Sequence, residues 1–164
     1  MPAVSGYRPM ITLILLLIEF GYSQNIRATD IVDIKPSSTV QKTNDGFDLR
    51  LYVRFTIKEH WHINSHEPGD PFLIATTLLI DSSGDYCCKD IVYPQAKQIN
   101  SRLSDSERAL YMGPQMIIAA VSVSNNYREK TVLVKGKLQY QACNDENCLI
   151  PIKKSFTVSV KIHD

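Results

Sequence analysis

"GFDLRLYVRFTIK", residues 46–58, decides the fold. Phe47, Leu49, Leu51, Val53, Phe55 and Ile57 alternate with Asp48, Arg50, Tyr52, Arg54, Thr56 and Lys58. A period of two puts every apolar side chain on one face of an extended strand; a helix would scatter them around its axis. "KTVLVKGKLQYQ" (130–141) repeats the pattern with Val132, Val134, Leu138 and Tyr140, and "KKSFTVSVKI" (153–162) with Phe156, Val158, Val160 and Ile162. "FLIATTLLI" (72–80) and "QMIIAAVSV" (115–123) are more continuously apolar, which suits central strands. Turn formers punctuate these runs: "NDG" at 44–46, "HEPGDP" at 66–71, "SSGD" at 82–85 and "NN" at 125–126. Short punctuated strands without a capped amphipathic helix predict an all-β chain, an antiparallel β-sandwich of immunoglobulin-like type. Only "LSDSERALYM" (103–112) has a faintly helical look, with Ser104 or Asp105 as candidate cap; an ordered loop is the alternative.

At 164 residues the chain suits one domain with a proper core. Eighteen Lys and Arg against seventeen Asp and Glu give a net charge of +1, and neither sign forms a long run. The electrostatic footprint of a nucleic-acid or anionic-lipid binder is therefore missing. No Gly-rich phosphate loop and no G-x-S-x-G elbow is present, so nucleotide and serine-hydrolase chemistry find no support.

The first residues read as an address. "MPAVSGYRP" carries one Arg, Met10 to Ile18 is a short apolar run, and Gly21 and Ser23 supply small residues before Gln24. This is the layout of a secretory signal peptide. The run is well short of the ~20 apolar residues that span a bilayer, and Glu19 ends it. The expectation is a signal peptide over 1–23, a single domain over 24–164 and a periplasmic or otherwise extracytoplasmic destination, with membrane association only if the signal segment is retained. No cysteine directly follows the run, so a lipid anchor is not expected.

Such a destination permits disulfides, and four cysteines remain: Cys87, Cys88, Cys143 and Cys148. In "YQACNDENCLIP" (140–151) the last two are separated by four polar or acidic residues. A staple, a metal site and a working redox couple all have to be weighed. Zinc ligands favour two short-spaced pairs, and the adjacent Cys87 and Cys88 suit one tetrahedral ion poorly. A staple closing so short a loop would remove little unfolded-state entropy. The pair also falls between the end of one predicted strand and the start of the last, so both sulfurs are expected near an exposed loop tip, where exchange is open to them.

Gln141, Ala142, Cys143, Cys148, Leu149 and Pro151 resemble the cysteine motif of the N-terminal, periplasmic domain of the thiol:disulfide interchange protein DsbD family. "EHWHINSHEPGDPFLIATTL", "VYP" at 92–94 and "ALYMGPQMIIAAVSV" resemble its earlier strands, so the likeness spans roughly residues 30–162. It implies an immunoglobulin-like domain in which Cys143 and Cys148 are the catalytic pair and cycle between dithiol and disulfide. It further implies relay of electrons from a thioredoxin-like donor to oxidised extracytoplasmic protein clients, Cys148 forming the mixed disulfide and Cys143 resolving it. That would make the chain a thiol-disulfide oxidoreductase needing no metal or organic cofactor. Two departures are visible. Ile150 precedes a single Pro151 where the family often has two prolines, and the family's shielding cap loop has no clear counterpart. "QINSRLSDSERALYMG" (98–113) occupies the corresponding stretch, with Asp105, Glu107 and Tyr111 as substitutes. The family protein continues into membrane-embedded and thioredoxin-like parts, so for a sequence ending at Asp164 a separate reductant is expected.

The remaining candidates are weaker. Asp145 and Glu146 disfavour a neighbouring thiolate, or simply solvate the loop. Cys87 and Cys88 follow a turn, where a strand would point one thiol into the core and the other outward. His60, His62 and His66 in "HWHINSH" suggest convergence on copper or zinc, yet no carboxylate or thiolate completes the set. Trp61 is expected in the core or at a strand edge. The competing functional reading is an exported protein-binding module in which Cys143–Cys148 is only a structural disulfide.

Overall fold

The computed structural model describes residues 26–100 and 107–162. Among these residues, after a 3₁₀ turn at Ala28–Asp30, come eleven strands: β1 (Val32–Thr43), β2 (Gly46–Ile57), β3 (His62–Asn64), β4 (Thr77–Ile80), β5 (Tyr86–Val92), β6 (Lys97–Asn100), β7 (Glu107–Tyr111), β8 (Pro114–Ser124), β9 (Thr131–Tyr140), β10 (Ala142–Cys143) and β11 (Ile152–Lys161). Three antiparallel sheets result, ordered β1-β2-β8-β5, β11-β9-β4 and β10-β3-β7-β6. This is the expected all-β, immunoglobulin-like sandwich.

The alternating strands behave as their period dictates. Leu49, Leu51, Val53, Phe55 and Ile57 of β2 are buried while Asp48, Arg50, Arg54 and Thr56 are exposed. They meet Ile117, Ala119 and Val121 of β8 and the inward residues of β9 and β11, Val132, Val134, Leu138, Tyr140, Phe156, Val158 and Val160, in one apolar core. β8 lies between β2 and β5, the central place its continuous apolarity suggested. Gly46 turns the β1–β2 hairpin at φ 132°, and a Cβ there would stand 2.2 Å from the Val123 carbonyl oxygen. Only glycine fits that close, left-handed position.

Three readings need correction. Residues 72–80 do not form a central strand: only Thr77–Ile80 is extended, at the edge of the β11-β9-β4 sheet, and Phe72 is 91 % exposed. The Pro-Gly-Asp-Pro turn delays the strand, and Asp70 accepts a hydrogen bond from the Phe72 N–H at 2.9 Å within it. The segment with the helical look contains β7, whose Ala109, Leu110 and Tyr111 are buried. Cys87 and Cys88 are both exposed rather than split between core and solvent. Both pair in regular register with β8, Cys87 with Ser122 and Cys88 with the buried Val121, but β5 is the edge strand of its sheet and leaves even Cys88 uncovered. The signal segment at 1–23 lies outside the described residues. Among those residues no helix is long and apolar enough to cross a membrane.

Candidate functional site

The cysteine loop is positioned from its first residue. Tyr140 ends β9 fully buried, and its hydroxyl donates to the Ala28 carbonyl at 2.8 Å. Burial pushes its phenol pKa far up, because ionising it would place a charge in the apolar core. Gln141 carries the chain from the β9 sheet to the β10 sheet, and its Nε2 donates to the Leu149 carbonyl at 3.1 Å, bracing the far side of the loop. Ala142 is fully buried opposite Ile63 of β3. Each residue of the "YQA" run therefore has a packing role that its type explains.

The loop then closes on itself. Asn144 Oδ1 accepts from the backbone N–H groups of Glu146 and Asn147 at 3.0 and 2.7 Å, an Asx-type turn. The Asn144 N–H donates to Asn147 O at 2.9 Å and the Leu149 N–H to Ala142 O at 2.8 Å. Cys143 and Cys148 face each other across this small hairpin as an antiparallel bridge and are joined by a disulfide. The two sulfur-bearing residues are not equivalent. Cys143 is 5 % exposed, whereas Cys148 is exposed. The expectation that both lie at an open loop tip holds for Cys148 alone; β10 pairs with β3 and draws Cys143 under cover. Ile150, two residues after Cys148, is 82 % exposed.

In the β10–β3 ladder Cys143 stands directly opposite His62. Since Ala142 and Ile63 point into the core, the next residue on each strand points to the other face, so Cys143 and His62 share that face. His62 is half-buried, and the desolvation of its charged form lowers its pKa below the ordinary histidine value; Asp145 opposes this shift and Arg108 adds to it.

The other candidates are dispersed. His60 sits at φ 65° in the turn before β3, exposed and 4.0 Å from Glu59. His66 stacks on Tyr93 with ring centroids 3.7 Å apart, and its Nδ1 lies 3.2 Å from the Thr76 carbonyl. Among the described residues no group of three or more His, Cys, Asp or Glu is placed to hold a metal ion. Trp61 is buried in the core. Tyr111 cannot shield the sulfurs as a cap would: it is 2 % exposed, packs edge-on against Phe55 and accepts the His66 N–H. Asp105 lies outside the described residues, and of Glu107 only the backbone is described, opening β7. A groove of about 640 Å³ on the β1-β2-β8-β5 sheet, lined by Arg54, Val92, Met116 and Ile118 among others, includes neither cysteine of the bridge. Sequence reasoning weighed His62 only as a metal ligand; its opposition to Cys143 depends on strand register, for which the sequence held no signal.

No family model matches the chain, and no curated protein matches it in sequence. Solved structures share its fold, among them two bacterial domains. The N-terminal periplasmic domain of ScsB from Proteus mirabilis aligns with a TM-score of 0.52 at 13 % identity, over 80 % of this chain and 47 % of that one, so the chain spans about half the length of this neighbour. The N-terminal domain of Neisseria meningitidis DsbD in the reduced form aligns with a TM-score of 0.50 at 12 % identity, over 84 % of this chain and 91 % of that one. The fold is thus that of DsbD-type N-terminal domains, and in this chain it carries a Cys143–Cys148 disulfide at the end of β10.

Proposed function

We propose that this protein is an extracytoplasmic thiol-disulfide exchange domain, relaying electron pairs from a thioredoxin-like donor to oxidised protein partners through Cys143 and Cys148. The observation that carries the reading is the one-sided bridge: a disulfide between a buried and an exposed cysteine, held in a self-contained hairpin at a sheet end. Thiolate attack on a disulfide needs open access to one sulfur along the S–S axis, while the other only has to leave. Cys148 offers that access.

In the loading direction a donor thiolate attacks Cys148 Sγ, the Cys143–Cys148 bond breaks, and Cys143 leaves with the electron pair. The donor's second thiolate then attacks the donor sulfur of the mixed disulfide, releasing Cys148 as a thiolate and leaving the donor oxidised. In the delivery direction Cys148 attacks the client disulfide and Cys143 closes the bridge, releasing the client as a dithiol. Two electrons pass in each half-cycle, and no further group is needed. The likeness to one domain described as periplasmic supports the extracytoplasmic placement, as does the signal-like segment at 1–23.

The test uses Cys143→Ser in a Cys87→Ser/Cys88→Ser background, incubated with an oxidised thioredoxin-like protein. A stable mixed disulfide through Cys148 is expected. Trapping only through Cys143, in the matching Cys148→Ser protein, overturns the assignment of roles. A bridge that resists a reduced thioredoxin-like protein while the fold stays intact overturns the relay.

A further inference from the structure

The relay leaves one chemical requirement unmet by the two cysteines themselves. When a client is held on Cys148, Cys143 must lose its proton before it can attack, because the thiolate is the nucleophile. Cys143 is 5 % exposed, so bulk water reaches it poorly, and burial disfavours the thiolate. A proton acceptor beside Cys143 would remove the difficulty.

His62 stands at that place. It is the cross-strand partner of Cys143 in the β10–β3 ladder and shares its face. Directly opposed residues in an antiparallel pair have Cβ atoms about 4.5–5.5 Å apart, within reach for an imidazole and a sulfur. Cys148 bridges to Cys143 from the other side, so His62, Cys143 and Cys148 form a row across three adjacent backbone segments. We propose that His62 is the proton-handling residue of the exchange site, taking the Cys143 proton when the bridge closes and returning it when the bridge opens. The inference rests on the relay reading and deepens it.

The closing step balances as follows. The Cys143 S–H proton passes to an imidazole nitrogen of His62. Cys143 Sγ bonds to Cys148 Sγ as the Cys148–client bond breaks, and that bond's electron pair leaves on the client sulfur, which is protonated from the imidazolium or from water. The cysteine pair is oxidised and the client reduced. An acceptor has to be neutral before the step, and His62 meets this condition: desolvation holds its pKa below the ordinary value. The charged groups around it pull in opposite directions, Asp145 of the loop favouring the imidazolium and Arg108 of β7 disfavouring it. Closure should therefore speed up with pH through the histidine's own titration and level off above it, instead of following the thiol to alkaline pH.

The experiment mixes the reduced Cys87→Ser/Cys88→Ser protein with the aromatic disulfide dithiobis(nitrobenzoate) in a stopped-flow instrument. Two releases of thionitrobenzoate are expected, capture by Cys148 and closure by Cys143. A thiol of ordinary pKa, about 8.5, is only about 3 % thiolate at pH 7. Removing its acceptor by His62→Gln should slow closure at pH 7 by about ten- to thirtyfold, leave capture unchanged, and make closure climb with pH up to the thiol's own pKa. Equal closure rates and pH profiles in the two proteins overturn the role of His62 while leaving the relay intact. A single release from the protein with His62 in place, with no closure, overturns the relay itself. The His62 ring titration, followed by NMR in the unsubstituted protein, needs no variant: it should shift on reduction, when a Cys143 S–H replaces the bridged sulfur as its neighbour, and an identical titration in both redox states overturns the proposal.

Discussion

Reducing the Cys143–Cys148 bridge should cost little stability, and the amount follows from the loop it closes. The cysteines are five positions apart, so the cross-link constrains six residues of the unfolded chain. The chain-entropy relation gives about 7 cal/mol/K for that loop, or about 2 kcal/mol at 25 °C, against about 4.7 kcal/mol for a bridge closing 100 residues. The folded state loses little else. The hairpin keeps the Asn144 side-chain bonds, the Asn144–Asn147 and Leu149–Ala142 backbone bonds and the Gln141 brace, none of which involves sulfur. Denaturant unfolding of the oxidised protein and of the protein held in excess reductant, with far-UV circular dichroism as the probe, should differ by about 2 kcal/mol or less. The accompanying fall in Tm would be roughly 5–10 °C. A relay needs this near-equality, since both redox states must be folded to dock with partners. If reduction costs more than about 4 kcal/mol, or abolishes the sheet signal, the bridge is a staple and the argument from loop size fails.

Two further outcomes are expected. The folded, oxidised protein should take up two equivalents of a maleimide, because Cys87 and Cys88 are both exposed, with Cys88 the slower of the two at neutral pH because desolvation raises its thiol pKa and depletes the thiolate; mass spectrometry of the peptides decides it, and a single label would place one thiol back in the core. Stability should fall as pH rises above about 10, where an unfolded tyrosine ionises but the buried Tyr140 stays protonated. The unfolded state then binds fewer protons than the folded one, so the slope of unfolding free energy against pH is negative. Denaturant titrations between pH 9 and 11 would show it in the wild type, and Tyr140→Phe should weaken the dependence.

Much of the sandwich was legible because burial on one face imposes a period of two, which β2, β9 and β11 carry in their side chains, while β8 showed itself by its continuous apolarity. β1 was not legible. It pairs with β2 along its whole length, but it is an edge strand whose residues from Ser37 onward are only partly covered, and its composition, Pro36 included, reads as a polar segment. β3, β6 and β10 are too short to show any period; they are strands because their neighbours offer hydrogen bonds. The edge positions of β4 and of β5, which leaves Cys88 open, likewise depend on what lies beside each segment.

By itself the sequence determined the β class, the inward face of the long strands and the cysteine pair as the candidate site, since these follow from local alternation and from residue type. The tertiary structure alone decided that Cys143 is covered while Cys148 is open, that Tyr111 belongs to the core, and that His62 stands against Cys143. Each of these depends on which segments pair and in what register, and register is set by the packing of the whole sandwich instead of by neighbours in the chain.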